Sequence, residues 1–189
     1  MESALIVSCV EKGTAFFAEM LNAASCNQIV TQGSCGEARR LLLTRDFDLV
    51  IINAPLRDES GEGLARHIAS KGISQVILVV KSEYFDAVSS VCEDDGVLVV
   101  AKPVSRVVFW AALKLARASH NKLRGMQTEN SKLKQKIEDI RIIDRAKCIL
   151  ISFLNMSEQE AHRYIEKQAM DTRQSKREIA EGLLRTYEN

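Results

Sequence analysis

The sequence predicts a doubly wound α/β domain, a five-stranded parallel sheet with helices on both faces, followed by a long coiled-coil helix and an all-α three-helix module. Three observations carry this. Short β-branched runs alternate with helix-like segments from Ala4 to Ala101. Three of those runs are apolar nearly throughout, as strands covered on both faces must be. Between Val104 and Leu154 there is no proline and a single glycine, Gly125.

The strand signals are ALIVS (Ala4–Ser8), QIVTQ (Gln28–Gln32), DLVIIN (Asp48–Asn53), QVILVV (Gln75–Val80) and VLVVA (Val97–Ala101). Helical segments are expected near Gly13–Ala24, Cys35–Arg45, Gly63–Ser70 and Glu83–Cys92. Alternation of this kind argues right-handed crossovers and a receiver- or flavodoxin-like sheet, in which function gathers at the carboxyl ends of the strands.

Beyond residue 119, Leu123, Met126, Asn130, Leu133, Ile137 and Ile140 recur at steps of three and four. This is a heptad seam with Leu123, Asn130 and Ile137 at a and Met126, Leu133 and Ile140 at d. An Asn in a dry core is unfavourable, whereas at an a position it pairs across a parallel two-stranded coil and fixes register, so a homodimer is expected. Ile143, Ala146, Leu150 and Phe153 continue the stripe with a phase shift, read as the helix meeting a different packing partner. Ser157–Glu160 and Ser175–Glu178 each fit a capping box and start two further helices. The expected domains are 1–119, a linker over 120–143, and a helical module over 144–189.

The 189 residues are 46% apolar and 27% charged, with net charge +1, so nothing global points to nucleic acid or a membrane. The balance is −2 over 1–119 and +3 over 120–189. Five scattered cysteines show no metal-binding or redox spacing, and the N-terminus lacks signal-peptide features. A cytoplasmic protein is expected, with no cofactor, no metal and no membrane partner. No nucleophile–base pair points to an enzyme.

The first half resembles the phosphate-accepting receivers in order and spacing. That family uses an acidic pair to hold Mg²⁺, an aspartate nucleophile, a hydroxyl, a switch aromatic and a Lys-Pro. Here the acidic pair falls on Ser8 and Cys9, the nucleophile on Asn53, the hydroxyl on Val80 and the aromatic on Val99. Only Lys102-Pro103 remains. The resemblance therefore implies a receiver-like domain without phosphotransfer, controlled by a partner protein or by abundance. Asn53 is expected to satisfy loop amides at its strand end.

Arg141–Leu184 resembles the ANTAR domain, the RNA-binding module of bacterial antitermination regulators. The resemblance lies in Ala146-Lys147 with Leu150, Ser157-Glu158 with Ala161, Ala169-Met170 and Ile179-Ala180. The family usually has Gly at Cys148 and an aromatic at His162. The resemblance implies a dimer that binds paired stem-loops in leader mRNA and prevents a terminator hairpin from forming. From residue type, the RNA contacts are expected among Lys147, Arg163, Tyr164, Lys167, Arg173, Lys176 and Arg177. Two other classes stay open: a DNA-binding regulator and a dimeric adaptor that sequesters a protein.

Overall fold

A computed structural model describes residues 1–187 of the chain. It divides into two compact units, Met1–Arg124 and Gly125–Asn189. The last two residues of the expected 144–189 module, Glu188 and Asn189, lie outside the described residues.

In the first unit, strands β1 (Ser3–Val7), β2 (Gln28–Gln32), β3 (Leu49–Asn53), β4 (Gln75–Lys81) and β5 (Leu98–Lys102) alternate with helices α1 (Glu11–Ala23), α2 (Cys35–Leu41), α3 (Glu62–Ser70) and α4 (Phe85–Cys92). The five strands are all parallel, in the order β2-β1-β3-β4-β5. Helix α2 is shorter than its apolar pattern suggests. The Thr44 hydroxyl bonds the Leu41 carbonyl at 3.1 Å and the chain tightens into turns there, so the helix stops.

The sheet is buried on both faces, and alternation along each strand assigns side chains to one layer or the other. Leu5, Val7, Val50, Ile52 and Leu78 meet α2, α3 and α4 through Ala38, Leu64, Ile68 and Val88. Ala4, Ile6, Ile51, Ile77 and Val79 meet Phe17 and Leu21 of α1 and Phe109, Leu113 and Ala116 of the next helix. The Phe17 and Phe109 rings lie 5.0 Å apart in that second layer.

That next helix, α5, runs unbroken from Arg106 to Leu154, 49 residues. Ser105 opens it by accepting from the Val108 amide at 3.2 Å. Its first part closes the sheet's second layer, and its last turns enter the core of the second unit. Helices α6 (Glu158–Thr172) and α7 (Lys176–Tyr187) complete that unit. Ala146, Ile149, Leu150, Ala161, Ile165, Ala180 and Leu184 form its centre, where the alanines let backbones approach closely. Both expected capping boxes are present. Ser157 accepts from Glu160 N while Glu160 takes the Ser157 amide, and Ser175 and Glu178 do the same.

Phe153 departs from expectation. Ala146 and Leu150 are buried, but Phe153 is 62% exposed because it lies in the final turn of α5, beyond the reach of the core. Its ring rests 5.6 Å from that of Tyr187. Leu123, Met126, Leu133, Ile137 and Ile140 are all exposed, as is Asn130. Among the described residues no helix is long and apolar enough to cross a membrane.

Candidate functional site

The carboxyl ends of the strands bring Ser8, Cys9, Asn53, Val80 and Lys102 to one edge of the sheet. Asn53 is buried, and its Nδ2 donates to Ser8 Oγ at 3.0 Å. Ser8 Oγ also accepts from the Val10 amide at 3.3 Å and donates to the Val10 carbonyl at 3.1 Å. The hydroxyl thus has its one donor and two acceptor positions filled. The partner of Asn53 is therefore a side chain on β1's exit, not the loop amides expected from sequence. The parallel register of β1 and β3 sets the two strand exits side by side, which brings these groups together.

Gly13, on α1, explains how this fits. A Cβ at that position would sit 2.5 Å from Asn53 Nδ2, so only glycine leaves room for the amide. Lys102, at the end of β5, donates from Nζ to the Ala54 carbonyl at 2.5 Å. Burial pushes its pKa below the ordinary lysine value. Cys9 donates weakly to the Pro55 carbonyl at 3.5 Å. The peptide bonds before Pro55 and Pro103 are both cis.

Val80 is 4% exposed and offers no hydroxyl. Beside it Ala54, Pro55, Tyr84 and Val88 line a mostly apolar hollow of about 190 Å³. Val99 is half-buried within β5. The nearest carboxylates are engaged elsewhere or face solvent. Asp58 accepts from the Cys35 and Gly36 amides at 3.0 and 2.9 Å, and those amides hold its carboxyl below the usual range. Glu59 pairs with Arg39 at 2.9 Å, and Glu11 is exposed on α1. Cys35, Asp58 and Glu59 are the group among the described residues whose donor atoms lie close enough for a metal. Burial, then Asp58 and Glu59, push the Cys35 thiol up to about 11, which keeps it protonated and unsuited to a cation. The site as built is a set of neutral groups that satisfy one another, with a single lysine turned onto a backbone carbonyl.

In the second unit the expected basic residues fall into two sets. Lys147 Nζ is held by Asp144 at 2.8 Å and Glu158 at 3.0 Å, and its side chain is only 16% exposed. Arg177 bonds Asp139 and Glu181, each at 2.8 Å, and Lys176 pairs with Glu166. Tyr164 is half-buried against the helical core. Arg163, Lys167 and Arg173, by contrast, are exposed, and their side chains make no hydrogen bond or salt bridge among the described residues. The Ser157 amide and hydroxyl hold the Glu160 carboxyl below its usual range, and Arg163 lies near enough to help them. Sequence reasoning missed Met170, which is 73% exposed. It follows Arg163 and Lys167 at helical spacing, so an apolar spot lies on the cationic face of α6.

The family assignment follows from the second unit. Residues 131–184 match the ANTAR domain. The chain carries an ANTAR domain. It is 27% identical over 169 residues to the transcriptional regulatory protein PdtaR of Mycobacterium tuberculosis, which covers 89% of this chain and 82% of that protein. Over 72 residues, 38% of this chain and 18% of the relative, it is 33% identical to the nitrate regulatory protein of Klebsiella oxytoca. The first unit has the receiver fold. A signal receiver domain from Pseudomonas fluorescens superposes with a TM-score of 0.57 at 20% identity, over 65% of this chain and 91% of that one.

Proposed function

We propose that this ANTAR regulator is a dimeric RNA-binding antiterminator whose receiver domain works without phosphorylation. The observation that carries the reading is the ANTAR match over 131–184, joined to a face of α6 where Arg163 and Lys167 are exposed and Arg173 follows at its end. Stem-loops offer a phosphate backbone and unstacked loop bases, which call for mobile cations and a surface on which bases can rest. Arg163, Lys167 and Arg173 supply the cations. Lys147, Lys176, Arg177 and Tyr164 act through the shape of the unit, since their polar or aromatic groups are already engaged. Holding a stem-loop of a leader transcript keeps the overlapping terminator from forming.

Two copies joined through the exposed seam from Leu123 to Ile140 would engage two hairpins on one transcript and gain from effective concentration. The receiver-like pocket supports control by other means than phosphate. An asparagine amide is a poor nucleophile, and Ser8 with Cys9 provides no charge to hold Mg²⁺. Control then falls to a protein partner or to abundance.

The test is to compare binding to a two-hairpin leader RNA, to the same RNA with scrambled loops, and to duplex DNA. The two-hairpin RNA is expected to bind tightest. Arg163→Ala and Lys167→Ala should each weaken it and reduce the salt dependence by about one counterion. Equal affinity for all three nucleic acids would exclude the antiterminator reading. Incubation with acetyl phosphate and Mg²⁺ should leave the intact mass unchanged.

A further inference from the structure

The seam on α5 does not end where its phase appears to break. Counting sevens onward from Ile137 and Ile140 gives Asp144 and Ile151 at a, and Lys147 and Leu154 at d. The shifted stripe of Ala146 and Leu150 is buried within the chain's own helical core. Ile151 and Leu154 stay outside that core, 36% and 45% exposed. The last turns of α5 thus carry two apolar faces at once. One is used by α6 and α7, and the other continues the heptad frame without a partner among the described residues.

We propose that a second copy of this chain covers Ile151 and Leu154, so the paired helices stay in contact to the end of α5 and the two ANTAR units pack against each other. This rests on the dimeric reading given above and adds to it. The heptad phase argues for the occupant. A partner of unrelated sequence has no reason to follow the seven-residue frame set by Leu123, Asn130 and Ile137, whereas an in-register copy brings Ile151 opposite Ile151 and Leu154 opposite Leu154.

The layer between the two apolar stretches places Asp144 opposite Asp144 and Lys147 opposite Lys147, so it holds the coil less firmly than the layers on either side. Lys147 is satisfied within its own chain by Asp144 and Glu158, at 2.8 and 3.0 Å, so it can lie beside an interface without an unpaired charge. The extension also strengthens the coil. The seam from Leu123 to Ile140 alone is short for a stable two-stranded coil, and continuing to Leu154 adds two further heptads. Two RNA-binding faces held this way keep a fixed spacing and orientation, instead of hanging from separate tethers.

Disulfide trapping in the full-length chain tests the proposal. Cys9 and Cys148, the two cysteines that are not buried, are first replaced by serine. Single cysteines are then introduced as Leu133→Cys in the coil, as Ile151→Cys and Leu154→Cys in the extension, and as Ser152→Cys off the frame. After mild oxidation the first three should give covalent dimer in comparable yield, and Ser152→Cys should give none. Trapping at 133 but at neither 151 nor 154 would overturn the extension and leave the dimer reading intact. Trapping at none of them would overturn both, and equal trapping at all four would mean random collision and overturn the proposal. In the otherwise unaltered chain, Ile151→Lys should raise the dimer dissociation constant about tenfold or more with the helical spectrum unchanged. An unchanged constant would also overturn it.

Discussion

The two units treat their polar groups in opposite ways. At the strand ends of the receiver unit Ser8, Asn53 and Lys102 turn inward and satisfy one another and the backbone. On the ANTAR unit Arg163, Lys167 and Arg173 are exposed, and their side chains carry no hydrogen bond among the described residues. A fold fixes where a site can be, but the residues placed there decide whether anything happens. The receiver scaffold keeps its sheet and its crossovers while its pocket is filled from within. The smaller unit, with far less core, carries the groups still available to a partner.

The strongest way to break this contrast is to remove the smaller core. Leu150 is fully buried, and Leu150→Ala is expected to cost about 2–5 kcal/mol, a large loss for so small a unit. Hydrogen exchange should show protection lost over 144–187 and kept in β1–β5. Loss in both units together would mean that they unfold as one. A smaller effect is expected from Gly13→Ala, whose new Cβ would meet Asn53 Nδ2 at 2.5 Å. Overpacking of that kind costs about 1–3 kcal/mol, and adding Asn53→Ala should recover part of it in denaturant titrations.

Next in size is a pH effect in the receiver unit. His120 of α5 is 7% exposed, with Nε2 3.4 Å from Asp48 Oδ1. Burial holds its pKa below the ordinary 6.5, against the pull of Asp48. As pH falls the unfolded chain takes up this proton first, so stability is full above the 6.5 of an ordinary histidine and declines below it. Burial also raises Asp48, but the Glu2 and Ser3 amides outweigh it and hold its carboxyl below 3.8. Its own contribution is therefore lost only in stronger acid. His120→Gln should flatten the slope of melting temperature against pH between neutrality and pH 5, and an unaltered slope would assign the effect elsewhere.

Ser175→Ala should cost the ANTAR unit about 1 kcal/mol by removing a capping box, read as a small drop in its melting temperature. The last effect is expected to be zero. Asn53→Asp alone should gain no phosphoryl group from acetyl phosphate, because Ser8 and Cys9 still cannot hold the metal. A mass gain would show that one substitution separates this pocket from a working switch.

Much of this was legible in the sequence. β3 reads LVIIN and is buried at every position, and a strand so uniformly apolar has few other places to go. The capping boxes at Ser157 and Ser175 were legible because the capping partners are three residues apart. Asn53 at the phosphoacceptor position was equally plain. What it touches was not, since Ser8 and Gly13 lie some forty residues away in the chain and meet it only through the parallel register of β1 and β3. The basic residues show the same limit. Lys147 and Lys167 look alike in sequence, and only the fold sets Glu158 beside the first and solvent beside the second. His120 carried no local signal, because Asp48, which it faces, lies just before β3, far away in the chain.

The single helix α5 has a consequence for how the chain is made. Phe109, Leu113 and Ala116 close one face of the sheet, so that face stays open on the ribosome until the start of α5 has been synthesised. The ANTAR unit needs Ala180 and Leu184, which are made well after the start of α5. The receiver can therefore be finished while its neighbour is still being written. A nascent chain can hold its receiver-fold unit complete before the core of the ANTAR unit is able to close.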